Sequence, residues 1–322
     1  MNITRVVVAI FLAATVVTEA LAQGAYPNKP IRWVIPYAAG GGADVIARPI
    51  AIKLGDVLGQ QVIYDNRGGG GGLIGSEFVA RASPDGYTLL IVAGATHLAP
   101  VFYDKLTFDP YKDFAPITNF AKTPNPLVTH PGFPAKTIAE LVAYGKANPG
   151  KINWASSGNG TNGHLSLVIF SELAGMKVVH VPFKGAGPAA ASVLAGQSDL
   201  LFAASGVFLP QIRAGKFRTL AVGSPKRLSI LPDTPTFQEL GYPGFESGFY
   251  CGLVAPVATP KSVINKLHDE LVKIVTAPES VARLEGIGTV AIANTPEQFS
   301  AELQLELAKY SKVVRDHNIK AE

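Results

Sequence analysis

Three times along this chain an apolar run stops in glycine or other small residues and a helical stretch begins at once, at 37–44, 156–163 and 183–188. Glycine permits the sharp reversal and lets backbone amides approach a ligand closely. The helix behind it aims unpaired N–H groups, and the positive end of its dipole, at the same point. This rhythm restricts the fold. Strands that each hand over to a helix build mostly parallel sheets covered on both faces.

The pattern predicts a first series with strands over 31–37, 61–64 and 88–93 and helices over 44–58 and 73–82, with a turn at 65–67 and a five-glycine loop at 68–72. Proline-rich segments at 107–116 and 123–134 interrupt it. A second series follows, with helices over 138–147, 164–174 and 188–194 and strands over 152–156, 178–182, 199–202 and 219–222. After an apolar stretch at 249–255, helices over 261–276, 279–284 and 296–315 end the chain. The last is amphipathic, with Phe299, Leu303, Leu307 and Tyr310 at spacings of three and four. Two series with an irregular join predict an α/β, two-lobed fold. The closing helices lack a sheet of their own and are expected to return to the first lobe. The chain would then cross between lobes near 122–128 and again near 246–252, making a hinge and a cleft. The expected division is a leader over 1–22, one lobe from 23–124 plus 250–322, and the other from 125–249.

Composition removes several classes. With 48% hydrophobic and 16% charged residues, the chain is neither disordered nor a coiled coil. Its net charge of +4 is not gathered in any basic run, which argues against nucleic acid as a partner. Cys251 is the only cysteine, so no internal disulfide or CxxC motif exists. HExxH, GxxxxGK[ST] and GxSxG are all absent, and neither a metal nor a cofactor is expected. At the start, a basic tip ending at Arg5, an apolar run over 6–17 and Ala20-Leu21-Ala22 have the plan of a secretory signal peptide cleaved before Gln23. The run is shorter than the roughly 20 residues a membrane span needs. An exported protein rarely meets ATP or reduced nicotinamide cofactors.

Gly158-Asn-Gly-Thr-Asn-Gly163 fits GxGxxG between a strand and a helix. The dinucleotide reading fails at the next strand, where an acidic residue is required and His180, Phe183 and Lys184 stand instead. Several glycine loops converging on one cleft would bind a carboxylate without any arginine; taken singly, each is also compatible with a mere tight turn. Ser156, Ser157, Thr161 and His164 lie in or beside the second loop. Their side chains would donate to a ligand oxygen, or the hydroxyls would cap the helix, and the sequence leaves both open. Asp44 is expected as the N-cap of its helix, Arg67 as a turn contact of Asp65, and Trp33 and Trp154 as core. Phe249 and Tyr250 are expected to line the cleft.

A set of short motifs then stands in a characteristic order: Tyr26-Pro-Asn-Lys-Pro-Ile-Arg32, Pro36-Tyr-Ala-Ala-Gly-Gly-Gly-Ala-Asp44, Asp65-Asn-Arg67, Pro84-Asp-Gly-Tyr-Thr-Leu-Leu90, Asn148-Pro-Gly-Lys151, Ala155-Ser-Ser-Gly-Asn-Gly160, His180-Val-Pro-Phe-Lys-Gly185, Leu231-Pro-Asp-Thr-Pro-Thr236 and Gly252-Leu-Val-Ala-Pro256. Together, from Tyr26 to the C-terminus, they resemble the Bug family of receptors that serve tripartite tricarboxylate transporters. The resemblance implies a monomeric periplasmic binding protein of two α/β lobes that close on a small organic carboxylate. It also implies membrane components of such a transporter as partners. Backbone amides, hydroxyls and ordered waters from both lobes would hold the carboxylate. By position these are Tyr37, Ala38, Ala39, Gly40, Gly41 and Asp44 in the first loop, and Ser156, Ser157, Gly158, Asn159, Gly160, Thr161 and His164 in the second. The far end of the ligand would meet Thr96, His97, Lys184, Gly185, Ala204 and Ser205. The chain departs from the family pattern at Ala39, commonly Pro, at Ala43, commonly Thr or Ser, and in the all-glycine stretch after Arg67.

Two other readings are carried forward. One is a secreted serine hydrolase using Ser156 or Ser205 with His164 or His97, for which no nucleophile elbow exists. The other is a sensor that presents its bound state to a membrane signalling protein.

Overall fold

The computed structural model describes residues 26–37, 39, 41–93, 96–103, 105–202 and 204–319, with backbone alone at 205–207. The expected leader and two loop residues, Ala38 and Gly40, lie outside the described residues. In chain order the elements are β1 (Ile31–Ile35), α1 (Gly42–Leu58), β2 (Val62–Asn66), α2 (Leu73–Ala80), β3 (Thr88–Ala93), α3 (Ala99–Phe102), β4 (Phe114–Pro124) and β5 (Pro126–Thr129). Then come α4 (Ile138–Ala147), β6 (Asn153–Ser156), α5 (Asn162–Ala174), β7 (Val179–Pro182), α6 (Ala186–Leu194), β8 (Leu200–Phe202), α7 (Ser205–Arg213) and β9 (Arg218–Val222). The chain closes with β10 (Gly248–Pro256), α8 (Lys261–Thr276), α9 (Pro278–Gly286), β11 (Val290–Ala291) and α10 (Pro296–Asp316).

The strands form two mixed sheets, in the orders β11-β4-β10-β3-β1-β2 and β7-β6-β8-β5-β9. In the first, β1 lies parallel to β2 and β3, and β10 runs antiparallel to β3 and β4. In the second, β6 lies parallel to β7 and β8, and β5 runs antiparallel to β8 and β9. Each sheet has its own core. Trp33 is fully buried and stacks on Phe120 at 6.3 Å, beneath Ile46, Ile50 and Leu54 of α1 and Leu267 and Leu271 of α8. Trp154 is fully buried against Phe170 and Phe202, with Phe237 and Phe245 around them. The amphipathic α10 spans both units. Phe299 and Leu303 pack under the first sheet, while Tyr310, Val313 and Val314 meet Leu165 of α5.

The proline-rich join holds two strands that the sequence reading missed. Pro116 and Pro124 sit within β4, where β11 covers only Ala121 and Lys122, so the missing N–H groups have one ladder to serve rather than two. The turn expected at 65–67 is partly strand, since Asp65 and Asn66 pair with Val34 and Ile35. Arg67 still donates to Asp65 Oδ2, at 2.8 Å. Helices α1, α5 and α6 start two residues earlier than expected, because glycine and asparagine at their ends are helical. The sequence reading also missed α7 and β11, whose short segments carry too few periodic positions to register.

Candidate functional site

Strand direction decides where the loops go. The carboxyl ends of the parallel strands β1, β2 and β3 lie on one edge of the first sheet, beside the start of β10, where Cys251 pairs with Ala93. The carboxyl ends of β6, β7 and β8 lie on one edge of the second sheet, beside the start of β5, where Leu127 pairs with Phe202. The chain passes between the sheets at these same edges. Asn125 alone separates β4 from β5, and its N–H donates to the Ser247 carbonyl, 2.8 Å away, one residue before β10. The loops after β1 and β3 therefore face those after β6, β7 and β8 across the passage. In α/β sheets this is where ligands bind.

In the first unit, the Tyr37 hydroxyl bonds the Ala93 carbonyl and the Thr96 hydroxyl. Burial pushes the Tyr37 phenol up to about 12, so it remains protonated and able to donate. Asn66 donates to the Tyr37 carbonyl at 3.1 Å. A Cβ on Gly72 would lie 3.2 Å from Thr96 Oγ1 and 3.4 Å from Pro36, so the glycine loop, Thr96 and the end of β1 form one cluster. Gly41 takes the N-cap position of α1 and Ala39 is exposed. Asp44 is not the N-cap. It lies in the first turn, buried, with Oδ1 paired to Arg48 Nη2 at 2.7 Å. Gly41 displaces it because its extended backbone already ends the helix. Phe249 approaches this helix end, 3.3 Å from where a Cβ on Gly42 would stand.

In the second unit the loop between β6 and α5 is tightly bonded internally. Ser156 is fully buried, with Oγ 2.6 Å from His180 Nε2, and accepts the Gly158 N–H at 3.2 Å. The Gly160 N–H donates to His164 Nδ1 at 3.1 Å. Gly158 and Gly160, expected to offer their amides to a ligand, thus spend them inside the loop. Thr161 stands at the N-cap of α5 without capping it, because its hydroxyl donates to the Gly158 carbonyl at 2.8 Å. Among the described residues, the first backbone bond of α5 runs from Leu165 N–H to the Thr161 carbonyl. The turn that precedes it, Asn162 to His164, is buried. A buried helix start without a cap calls for an acceptor from elsewhere.

The other expected residues fall around these two groups. Gly185, the N-cap of α6, donates to the Ser157 carbonyl at 3.1 Å, which joins the second and third loops. Ala204 takes the N-cap position of α7 and Ser205 opens that helix. Asn159 lies beside His164 and His180. Lys184 is exposed. His97 is turned away from the loops, with Nε2 2.7 Å from Glu306 of α10 and its ring on a cavity of about 30 Å³ shared with Ser76, Tyr111 and Leu303. Sequence reasoning missed three residues here. Phe102 would touch a Cβ on Gly160 at 3.0 Å. Asn162 Nδ2 donates to the Gly248 carbonyl at 3.1 Å. His180 sits opposite Trp154 in the β6–β7 pairing, two positions before the level of Ser156. Asn162 lies within the GNGTNG motif itself, which was a usable signal; the other two needed the register.

Comparison with known proteins agrees with this geometry. The family model described as the tripartite tricarboxylate transporter family receptor matches residues 46–319. The structure of the periplasmic binding protein BugD aligns with a TM-score of 0.78 and 35% identity, covering 92% of this chain and 100% of that one. Rhodopseudomonas palustris Rpa4515 with adipate aligns with a TM-score of 0.82 and 30% identity, covering 92% and 99%. MatC from the same organism, with bound malate, aligns with a TM-score of 0.77 and 30% identity, covering 90% and 100%. The two sheets and their helices are thus the two lobes of a periplasmic-binding-protein fold.

Proposed function

The chain belongs to the tripartite tricarboxylate transporter receptor family, whose Bug proteins are periplasmic solute receptors and not enzymes, and from that premise we propose that it captures a small organic carboxylate in the periplasm by lobe closure and delivers it to the membrane components of such a transporter. The buried, uncapped start of α5 carries this reading. Four further helices, α1, α2, α6 and α7, begin at the same pair of facing edges, and none has a side-chain cap. Elsewhere Thr137 caps α4 and Thr295 caps α10. Helices α3, α8 and α9 also start uncapped, so an open end alone means little; five around one gap favour an anion. Asp44 already places a carboxylate in the first turn of α1, whereas the first turn of α5 carries no acidic residue, so α5 is the stronger end for the ligand.

The site of this reading is the first-lobe cluster of Tyr37, Gly41 and Thr96 with the second-lobe loop from Ser156 to His164, flanked by Gly185 and Ala204. The lobes are residues 23–124 with 250–322, and residues 125–249; the single-residue passage at Asn125 supports the first boundary, while β10, which pairs with β4 from Gly248 on, draws the second back by two residues. A leader over 1–22 directs export, and the receptor acts as a monomer. Of the two serines the hydrolase reading offers, Ser156 is fully buried and its hydroxyl is held by His180 and Gly158, which closes it to a substrate. Relatives holding adipate and malate favour an aliphatic dicarboxylate.

A thermal-shift panel of malate, adipate, aromatic acids, sugars and amines tests the proposal. A ligand at 100 times its Kd adds about 2.7 kcal/mol of stability, or about 4–5 °C for a chain of this size. Shifts by sugars or amines with none from any carboxylate would overturn it.

A further inference from the structure

We propose that His164 and His180 are the positioning residues of the ligand loop, fixing the direction of its amides through unprotonated ring nitrogens. The inference rests on the reading of the β6–α5 loop as the carboxylate site. To accept the Gly160 N–H, His164 Nδ1 must carry no proton, which places the ring proton on Nε2. On the other side the Gly158 N–H donates to Ser156 Oγ, which lies 2.6 Å from His180 Nε2; with the His180 ring proton on Nδ1, the Ser156 hydroxyl donates to that nitrogen. Both histidines are thus acceptors behind the loop. Their rings lie stacked, with centroids 3.8 Å apart and planes within 10°. With the amides of Gly158 and Gly160 drawn inward to this pair, the loop turns the first turn of α5 to the gap.

The stack also protects the acceptors. Two protonated rings at that separation would repel, and burial disfavours the first charge already. Burial and the neighbouring His180 ring push His164 down to about 4, and burial also lowers His180. The groups facing the pair are Ser156 of β6, His317 beyond α10, and Glu172 of α5, which pairs with His317 at 2.8 Å. Lys177 shares the same open cavity of about 870 Å³. The two rings are not equivalent. A proton on His180 Nε2 is tolerated, because the Ser156 hydroxyl can swing to the Gly158 carbonyl, 3.1 Å away. A proton on His164 Nδ1 would face the Gly160 N–H donor to donor, so His164 is the residue that sets the loop.

Two substitutions separate this role from packing. Asn places an amide oxygen near the Nδ1 position and does not titrate, whereas Leu fills the space without an acceptor. Amide exchange at Gly160, followed by NMR in the absence of ligand, is the first readout; calorimetric Kd for malate and adipate and the melting temperature are the others. His164→Leu is expected to speed Gly160 exchange and weaken binding, each by about tenfold or more, with the melting temperature retained. His164→Asn is expected to bring both back to within about threefold of wild type. His180→Phe keeps a stacked ring but drops the Ser156 acceptor, and is expected to speed exchange at Gly158. A Leu variant with unchanged exchange at Gly160, or an Asn variant as impaired as Leu, overturns the positioning role. A wild type that ignores both acids while the exchange pattern holds supports the positioning and overturns the aliphatic-dicarboxylate reading instead.

Discussion

Gly160 sits at φ +70°, and a Cβ built on it would lie 3.0 Å from the Phe102 ring of the other lobe. A side chain there meets two separate penalties. The left-handed backbone costs an L-residue about 1–2 kcal/mol, and the methyl presses on Phe102 across the gap. Gly160→Ala is expected to lower the melting temperature by a few degrees and to weaken carboxylate affinity by about fivefold or more. Adding Phe102→Ala relieves only the second effect, so affinity should recover in part. Full recovery of the melting temperature in the double variant would show that backbone strain is not involved. Single residues were the least legible part of the sequence. The glycine motif marked the loop, but whether Gly158 and Gly160 face a ligand or their own lobe depends on His164 and His180. His180 reaches Ser156 only through the β6–β7 register, which no local spacing encodes.

Helix α5 starts without the side-chain cap that its N-cap residue could supply. Thr161 holds the N-cap position with φ −70° and ψ 158°, yet its hydroxyl serves the Gly158 carbonyl. An aspartate at this position would accept the orphan amides and place a negative charge at the dipole's positive end. Each of those contributions typically stabilises a helix by about 0.5–1 kcal/mol. Thr161→Asp is therefore expected to raise the melting temperature of the ligand-free protein slightly and to abolish the shift given by malate or adipate. A variant that is stabilised and still binds would place the carboxylate away from α5. The helices and parallel strands were legible because their apolar periods are strong. The β4–β5 join was not, because Pro116, Pro124 and Pro126 read as breakers; β4 tolerates the first two where only one neighbouring strand runs beside it.

Across the whole molecule, the two crossings lie side by side, and the pairing of β4 with β10 continues to Pro124 and Gly248 at the very edge of the first sheet. The Lys122–Glu246 ion pair also bridges them. That the C-terminal helices return to the first sheet was legible, since an element without a sheet must return to one. What the sequence did not show is how the second lobe is fastened in this arrangement. Asn162 extends from the first turn of α5 to the Gly248 carbonyl, donating from Nδ2 at 3.1 Å. The helix end proposed to hold the ligand is therefore tied directly to the hinge strand. If Asn162 favours the approached lobes, Asn162→Ala should release them. Its ligand-free radius of gyration by small-angle scattering is expected to exceed that of wild type, while saturating carboxylate returns both to one value. Affinity should fall about five- to tenfold, because the ligand must then supply the closure that the side chain supplied. Identical scattering of the two ligand-free proteins would mean that Asn162 only fills space, and that the β4–β10 pair alone sets the lobe angle.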